Sequence, residues 1–141
     1  MRQPYQTLTI LYRKAGEKVS YCVFLRNSHH IWQFISGGGE EGENLVDTVI
    51  REIKEELGLQ LDFGFGKLLF TDIIKEDFKI RDVYVFYKNF DINDVKFTDN
   101  EACDAKYVDI DEFKKMYENG EMTDNSTYVI NHWEEVLKGR I

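Results

Sequence analysis

From residue 46 to residue 57 the apolar side chains Val46, Val49, Ile50, Ile53 and Leu57 recur at offsets of 0, 3, 4, 7 and 11. That repeat places them on one face of an α-helix. Asn44 is a suitable N-cap, with Asp47 three residues on in a capping-box-like arrangement, and Gly58 supplies the C-cap. The stretch therefore predicts a helix of about four turns with one apolar stripe. Such a stripe has to be laid on something, and the surrounding sequence supplies strands. Thr7–Arg13 alternates, the turn "KAGEK" follows, and Val19–Leu25 alternates again. Ile31–Ser36 reads as a third strand running into the glycines. Gly66–Thr71, Asp82–Phe90 and Ala105–Ile110 read as further strands. Asp111–Gly120 reads as a short helix stopped by glycine, and Asn125–Gly139 as a terminal helix carrying Val129, Ile130, Trp133 and Leu137 on one face. Strands mixed with helices predict an α+β chain, a mixed sheet sandwiched between helices. The 141 residues fit one domain, residues 1–141.

The same helix is crowded with acid on a chain whose net charge is already -8. Like charges one turn apart weaken a helix by a few tenths of a kcal/mol per pair, roughly. At about 100° per residue, Glu52, Glu55 and Glu56 fall on a flank roughly 120° from the apolar stripe. Their i, i+3, i+4 spacing suits a hard cation, which takes oxygen ligands. Taken alone, "REIKEEL" is more often an exposed charged face.

The longer pattern separates the two readings. Gly37, Glu43, Arg51, Glu52, Ile53, Glu55, Glu56, Gly58 and Leu59 match G-x5-E-x7-R-E-U-x-E-E-x-G-U, with U aliphatic, at every fixed position across 23 residues. The chain thus resembles the Nudix family. The resemblance implies a mixed sheet between helices and a loop-helix-loop that binds Mg²⁺, with Mn²⁺ as a substitute. It also implies metal ligation by Glu52, Glu55, Glu56 and the carbonyl of Gly37, with general-base duty falling to one of these glutamates or to an acid outside the box. Glu43 and Arg51 would brace loop to helix. Glu101 matches a position where some relatives carry a further metal-binding glutamate.

The implied activity is pyrophosphohydrolysis of a nucleoside triphosphate or a related triphosphate. "IWQFISGGGEEGE" resembles two subgroups. One acts on dATP or dihydroneopterin triphosphate and carries Trp-Gln shortly before the box. The other comprises dinucleoside-polyphosphate hydrolases, in which proline follows Trp-Gln-Phe; Ile35 stands there instead. On this reading Trp32, Phe34 and Tyr128 are candidates for substrate contact. A non-catalytic nucleotide-binding sensor is the alternative of another class; such relatives often lose box acids, and none is lost here. Small members also often form homodimers.

Several other functions are disfavoured. A sequence pI near 4.9 disfavours a nucleic-acid partner, which needs clustered Lys and Arg. No apolar run approaches the length of a membrane span, roughly 18 residues. Cys22 and Cys103 form no CxxC, so reduced thiols in a cytoplasm are expected. Gly37, Gly39 and Gly42 spell GxGxxG, but Glu40 and Glu41 inside that loop would repel a pyrophosphate. His29 and His30 are adjacent and would point to opposite sides of a strand, so they do not share a metal. His132 falls in the terminal helix as a surface or packing residue.

Overall fold

The computed structural model describes residues 2–16, 18–27, 30–40, 44–62, 64, 66–74, 79–97, 102–123 and 126–131. Strand β1 (Arg2–Ala15) alternates as its sequence predicts, and both of its sides are buried: Leu8, Ile10 and Tyr12 to one face, Thr7, Thr9 and Leu11 to the other. Gly16, in the left-handed region at φ 66°, turns the chain into β2 (Lys18–Arg26), which pairs antiparallel to β1 from Ala15↔Lys18 to Leu11↔Cys22.

Beyond that point β1 and β2 part, and the next segment fills the gap. The sequence predicts one strand over Ile31–Ser36; the structure divides it. β3 (Trp32–Gln33) pairs with β2 through Phe24↔Gln33, whereas β4 (Ile35–Glu40) pairs with β1 from Thr9↔Ile35 onward. The break at Phe34 is where the chain changes partner. β4 continues through all three glycines.

β5 (Gly66–Ile74), β6 (Lys79–Tyr87) and β7 (Ala102–Val108) complete a mixed sheet ordered β3-β2-β1-β6-β5, with β4 on β1 and β7 on β2. The β1–β6 pairing is parallel and the others are antiparallel. β7 ends before the predicted Ile110 because Asp109 caps α2 (Ile110–Glu118), its carboxylate accepting from the Glu112 N–H.

Helix α1 (Leu45–Leu57) follows its sequence signals closely. The Asn44 side chain accepts from the Asp47 N–H at 2.8 Å, and Gly58 closes the helix in the left-handed conformation at φ 70°. Val49, Ile53 and Leu57 are fully buried on the sheet with Leu11, Phe24, Ile35 and Phe86. On the other face, α2 contributes Phe113 and Met116, and α3 (Ser126–Asn131) contributes Val129, against Leu8, Ile10, Tyr12, Phe34 and Val83. The result is the expected α+β sandwich of helix, mixed sheet and helices. The remainder of the predicted terminal helix, with Trp133 and Leu137, lies outside the described residues. Among those described, no helix is long and apolar enough to cross a membrane.

Candidate functional site

The site is built on α1. Relative to the centre of Val49, Ile53 and Leu57, Glu56 lies about 60° round the helix, Glu52 about 100° and Glu55 about 160°. Exposure follows that order. Glu56 is 5% exposed and Glu52 8%, whereas the Glu55 side chain is 57% exposed. The three acids are thus not equivalent. Two are folded against the sheet one turn apart, and the third looks outward.

Glu52 is packed against β4. A Cβ built on Gly37 would stand 2.4 Å from Glu52 Cγ and 2.6 Å from its Cδ, so the glutamate occupies the space a side chain at 37 would fill. The Gly37 carbonyl also receives a long contact from the Thr7 hydroxyl at 3.5 Å. Arg51 ties the helix to the same strand: Nη2 donates to the Gly38 carbonyl at 3.0 Å. Its Nη1 donates to Glu52 Oε1 at 3.1 Å and to Glu55 Oε2 at 3.2 Å. The sequence-expected partner of Arg51, Glu43, lies outside the described residues, as does Glu101.

The side chains of Glu52, Glu55 and Glu56 and the Gly37 carbonyl offer only oxygens, the donor type a hard divalent cation takes, and two of the carboxylates are nearly buried one turn apart, where like charges need a counter-charge. Among the described residues no three acidic, histidine or cysteine groups converge on one point. The Arg51 guanidinium lies between Glu52 and Glu55 and is the positive group the acids close on.

The aromatic candidates are placed elsewhere. Phe34 is fully buried, its ring 5.4 Å from that of Phe113 and edge-on to it, so it is a core residue on the α2 side, opposite α1. Trp32 is half-buried on that same side, with the Lys106 ammonium 4.8 Å from its ring centroid. Tyr128 belongs to α3, its side chain outside what is described. Neither Trp32 nor Phe34 is brought to the acids. Cys22 is buried, and burial pushes its thiol well above the usual range, which suits a packing residue rather than a nucleophile. Gln33, read from the sequence only as half of the Trp-Gln pair before the box, lies between the two aromatics and was not named as a site residue. It is only 9% exposed, and a lone polar residue in the apolar run "IWQFI" was the signal available.

A mixed sheet between helices, with an acid-flanked helix packed on a glycine strand, defines the class. Residues 3–127 match the NUDIX domain profile, and the chain belongs to the Nudix family. An uncharacterised Nudix hydrolase of Listeria monocytogenes is 27% identical over 86 residues, 61% of this chain and 50% of that protein. The chain therefore spans about half the length of the curated relative it matches. Among solved structures, the NUDIX domain of Shewanella oneidensis NrtR complexed with ADP ribose superposes with a TM-score of 0.72 at 15% identity, covering 94% of this chain and 87% of that one. A Caenorhabditis elegans Ap4A hydrolase superposes with a TM-score of 0.63 at 19% identity, covering 96% and 98%. At these identities the likeness is one of fold.

Proposed function

We propose that residues 1–141 act as one Nudix hydrolase domain, a Mg²⁺-dependent pyrophosphohydrolase that cleaves a phosphoanhydride bond of a nucleoside triphosphate or a related triphosphate such as that of dihydroneopterin. The observation that carries this reading is the pair of nearly buried carboxylates, Glu52 and Glu56, one helical turn apart and packed against Gly37. A solvated charged face would leave both in water. Glu52, Glu55 and Glu56, with the Gly37 carbonyl, would hold the cation; Mn²⁺ would substitute, and Glu101 would be a further ligand. When bound, the ion supplies charge neutralisation of the phosphates and acidification of a water.

The protein's own part is positional. The Asn44 cap and Gly58 stop fix the helix ends, the apolar stripe fixes its rotation, and Arg51 fixes its height on β4 through Gly38. Arg51 also holds Glu52 and Glu55 oriented, so that the acids are preorganised. Glu52, Glu55, Glu56 or an acid outside the box would take the proton of the attacking water.

The test is product formation with and without Mg²⁺ on dATP and other nucleoside triphosphates, dihydroneopterin triphosphate, diadenosine tetraphosphate and ADP-ribose. Pyrophosphate released from triphosphates alone is the expected result. Cleavage of the dinucleotide or of ADP-ribose in preference would move the assignment to that substrate class. Mg²⁺-dependent ligand binding without product at any metal concentration would replace the enzyme by a sensor.

A further inference from the structure

Asp82 is a carboxylate buried without a counter-charge. It is 6% exposed, and its two oxygens accept from hydroxyls: Oδ1 from Thr71 at 2.7 Å and Oδ2 from Tyr84 at 3.3 Å. No lysine, arginine or histidine among the described residues bonds it. Two neutral donors leave the charge in place, and a buried charge is unfavourable unless it is paired or serves a metal. A carboxylate offers about four lone-pair sites, so both oxygens keep acceptor capacity. The sheet is shaped to hold the group there. β5 bulges between Leu68 and Phe70, and its register passes from Leu68↔Tyr84 to Thr71↔Asp82. In a regular strand, residues three apart face opposite ways. The extra residue turns Thr71 onto the face of Tyr84 and Asp82, where its hydroxyl meets the carboxylate. Bulges that re-aim a side chain in this way are frequent beside active sites.

That face is the one the acids of α1 occupy. Thr7 pairs with Gly37 on one side and with Asp82 on the other, so Gly37, Thr7, Asp82 and Thr71 form one row across β4, β1, β6 and β5. Glu52 packs on the first member of that row, Gly37. Asp82 stands two strand spacings further along it, about 10 Å between backbones. Among the described residues no three acids converge on one point, so Asp82 does not share an inner ligand set with Glu52 and Glu56. A hard divalent ion such as Mg²⁺ keeps several of its waters, and carboxylates that bond a metal's ligands from one layer out tune its affinity. At a separation of about 10 Å and an effective dielectric near 20, a carboxylate still acts strongly on a divalent charge.

We propose that Asp82 is a positioning residue of the cation site, a third buried negative charge that holds the hydrated side of a divalent ion bound at Glu52 and Glu56, through that ion's waters. This rests on the metal-dependent reading above. Titration of the whole chain with Mn²⁺, the free ion being followed by electron paramagnetic resonance, tests it. Wild type is expected to bind Mn²⁺. Asp82→Asn keeps the shape and removes the charge, and the Thr71 and Tyr84 hydroxyls can turn to accept from its amide. It is expected to weaken Mn²⁺ binding about tenfold. In EDTA it should melt no lower than wild type, since an uncompensated buried charge is gone. Thr71→Val keeps the charge and removes one hydrogen bond, and should stay within about threefold of wild-type affinity. Equal losses in the two variants would place the effect on the hydrogen bond and overturn the role of the charge. An Asp82→Asn protein that melts far below wild type in EDTA would make Asp82 a structural residue. Unchanged Mn²⁺ affinity in Asp82→Asn would overturn the inference and leave the hydrolase reading standing; wild type that binds no Mn²⁺ would overturn both.

Discussion

The two faces of the sheet are made by the same strands and bury different things. On the α2 and α3 face the core is Leu8, Ile10, Tyr12, Phe34, Val83, Phe113 and Val129, and Ser126 is the one buried polar residue among those described. On the α1 face, apolar residues of comparable size are interrupted by Thr7, Thr9, Gln33, Thr48, Glu52, Glu56 and Asp82. Burying a polar group is unfavourable unless something bonds it. One face is thus optimised for packing, and the other gives up some packing to hold oxygen and amide groups in place. The difference locates function more sharply than the aromatic content of the chain does.

The largest expected effect breaks the comparison from the packed side. Phe34→Ala should remove roughly 3–5 kcal/mol of stability, read as a shift in the urea midpoint, with the KM of the remaining folded protein unchanged. A KM change at undiminished stability would return Phe34 to the substrate.

Glu56→Gln sharpens the polar side. Loss of one ligand charge should lower kcat by about 100-fold and abolish Mg²⁺-dependent thermal stabilisation. In EDTA the variant should melt no lower than wild type, because the pair of like charges is relieved. A metal-free variant that melts far below wild type would make Glu56 a structural residue.

The smallest effect concerns Tyr84, whose hydroxyl bonds Asp82 on the α1 face. Burial first, then the Asp82 charge and hydrogen bond, push its pKa up to about 12 from an ordinary value near 10. The unfolded chain therefore loses this proton before the folded one does. Stability from this group is complete below about pH 10 and is lost as pH rises towards 12. Denaturation midpoints across that window should fall shallowly for wild type and less for Tyr84→Phe.

Much of this was legible in the residues. Helix α1 could be read to within a residue, since its caps and stripe are local features and the tertiary structure does not contradict them. The box acids were legible as a set because spacing on a helix is fixed by geometry. Their inequality was not: Glu55 points outward and Glu56 inward because the sheet lies on one side of α1, which no local pattern states. Trp32 and Phe34 became substrate candidates through the resemblance of "IWQFISGGGEEGE" to two subgroups, yet strand alternation around the break at Phe34 turns both rings to the face opposite α1. The division of Ile31–Ser36 into two strands was likewise hidden, because an apolar run carries no mark of where its hydrogen-bond partner changes.

The sequence by itself determined the α+β class, the helix with its ends, the family and the identity of the acids, because each depends on short-range periodicity or on fixed spacing along the chain. Which acids are buried, that Gly37 leaves room for Glu52, that Arg51 reaches Gly38 and that Gln33 shares the α1 face with Phe24 came from the tertiary structure alone. Those are relations between segments distant in the chain, set by which strand lies beside which, and they are fixed only when the sheet closes.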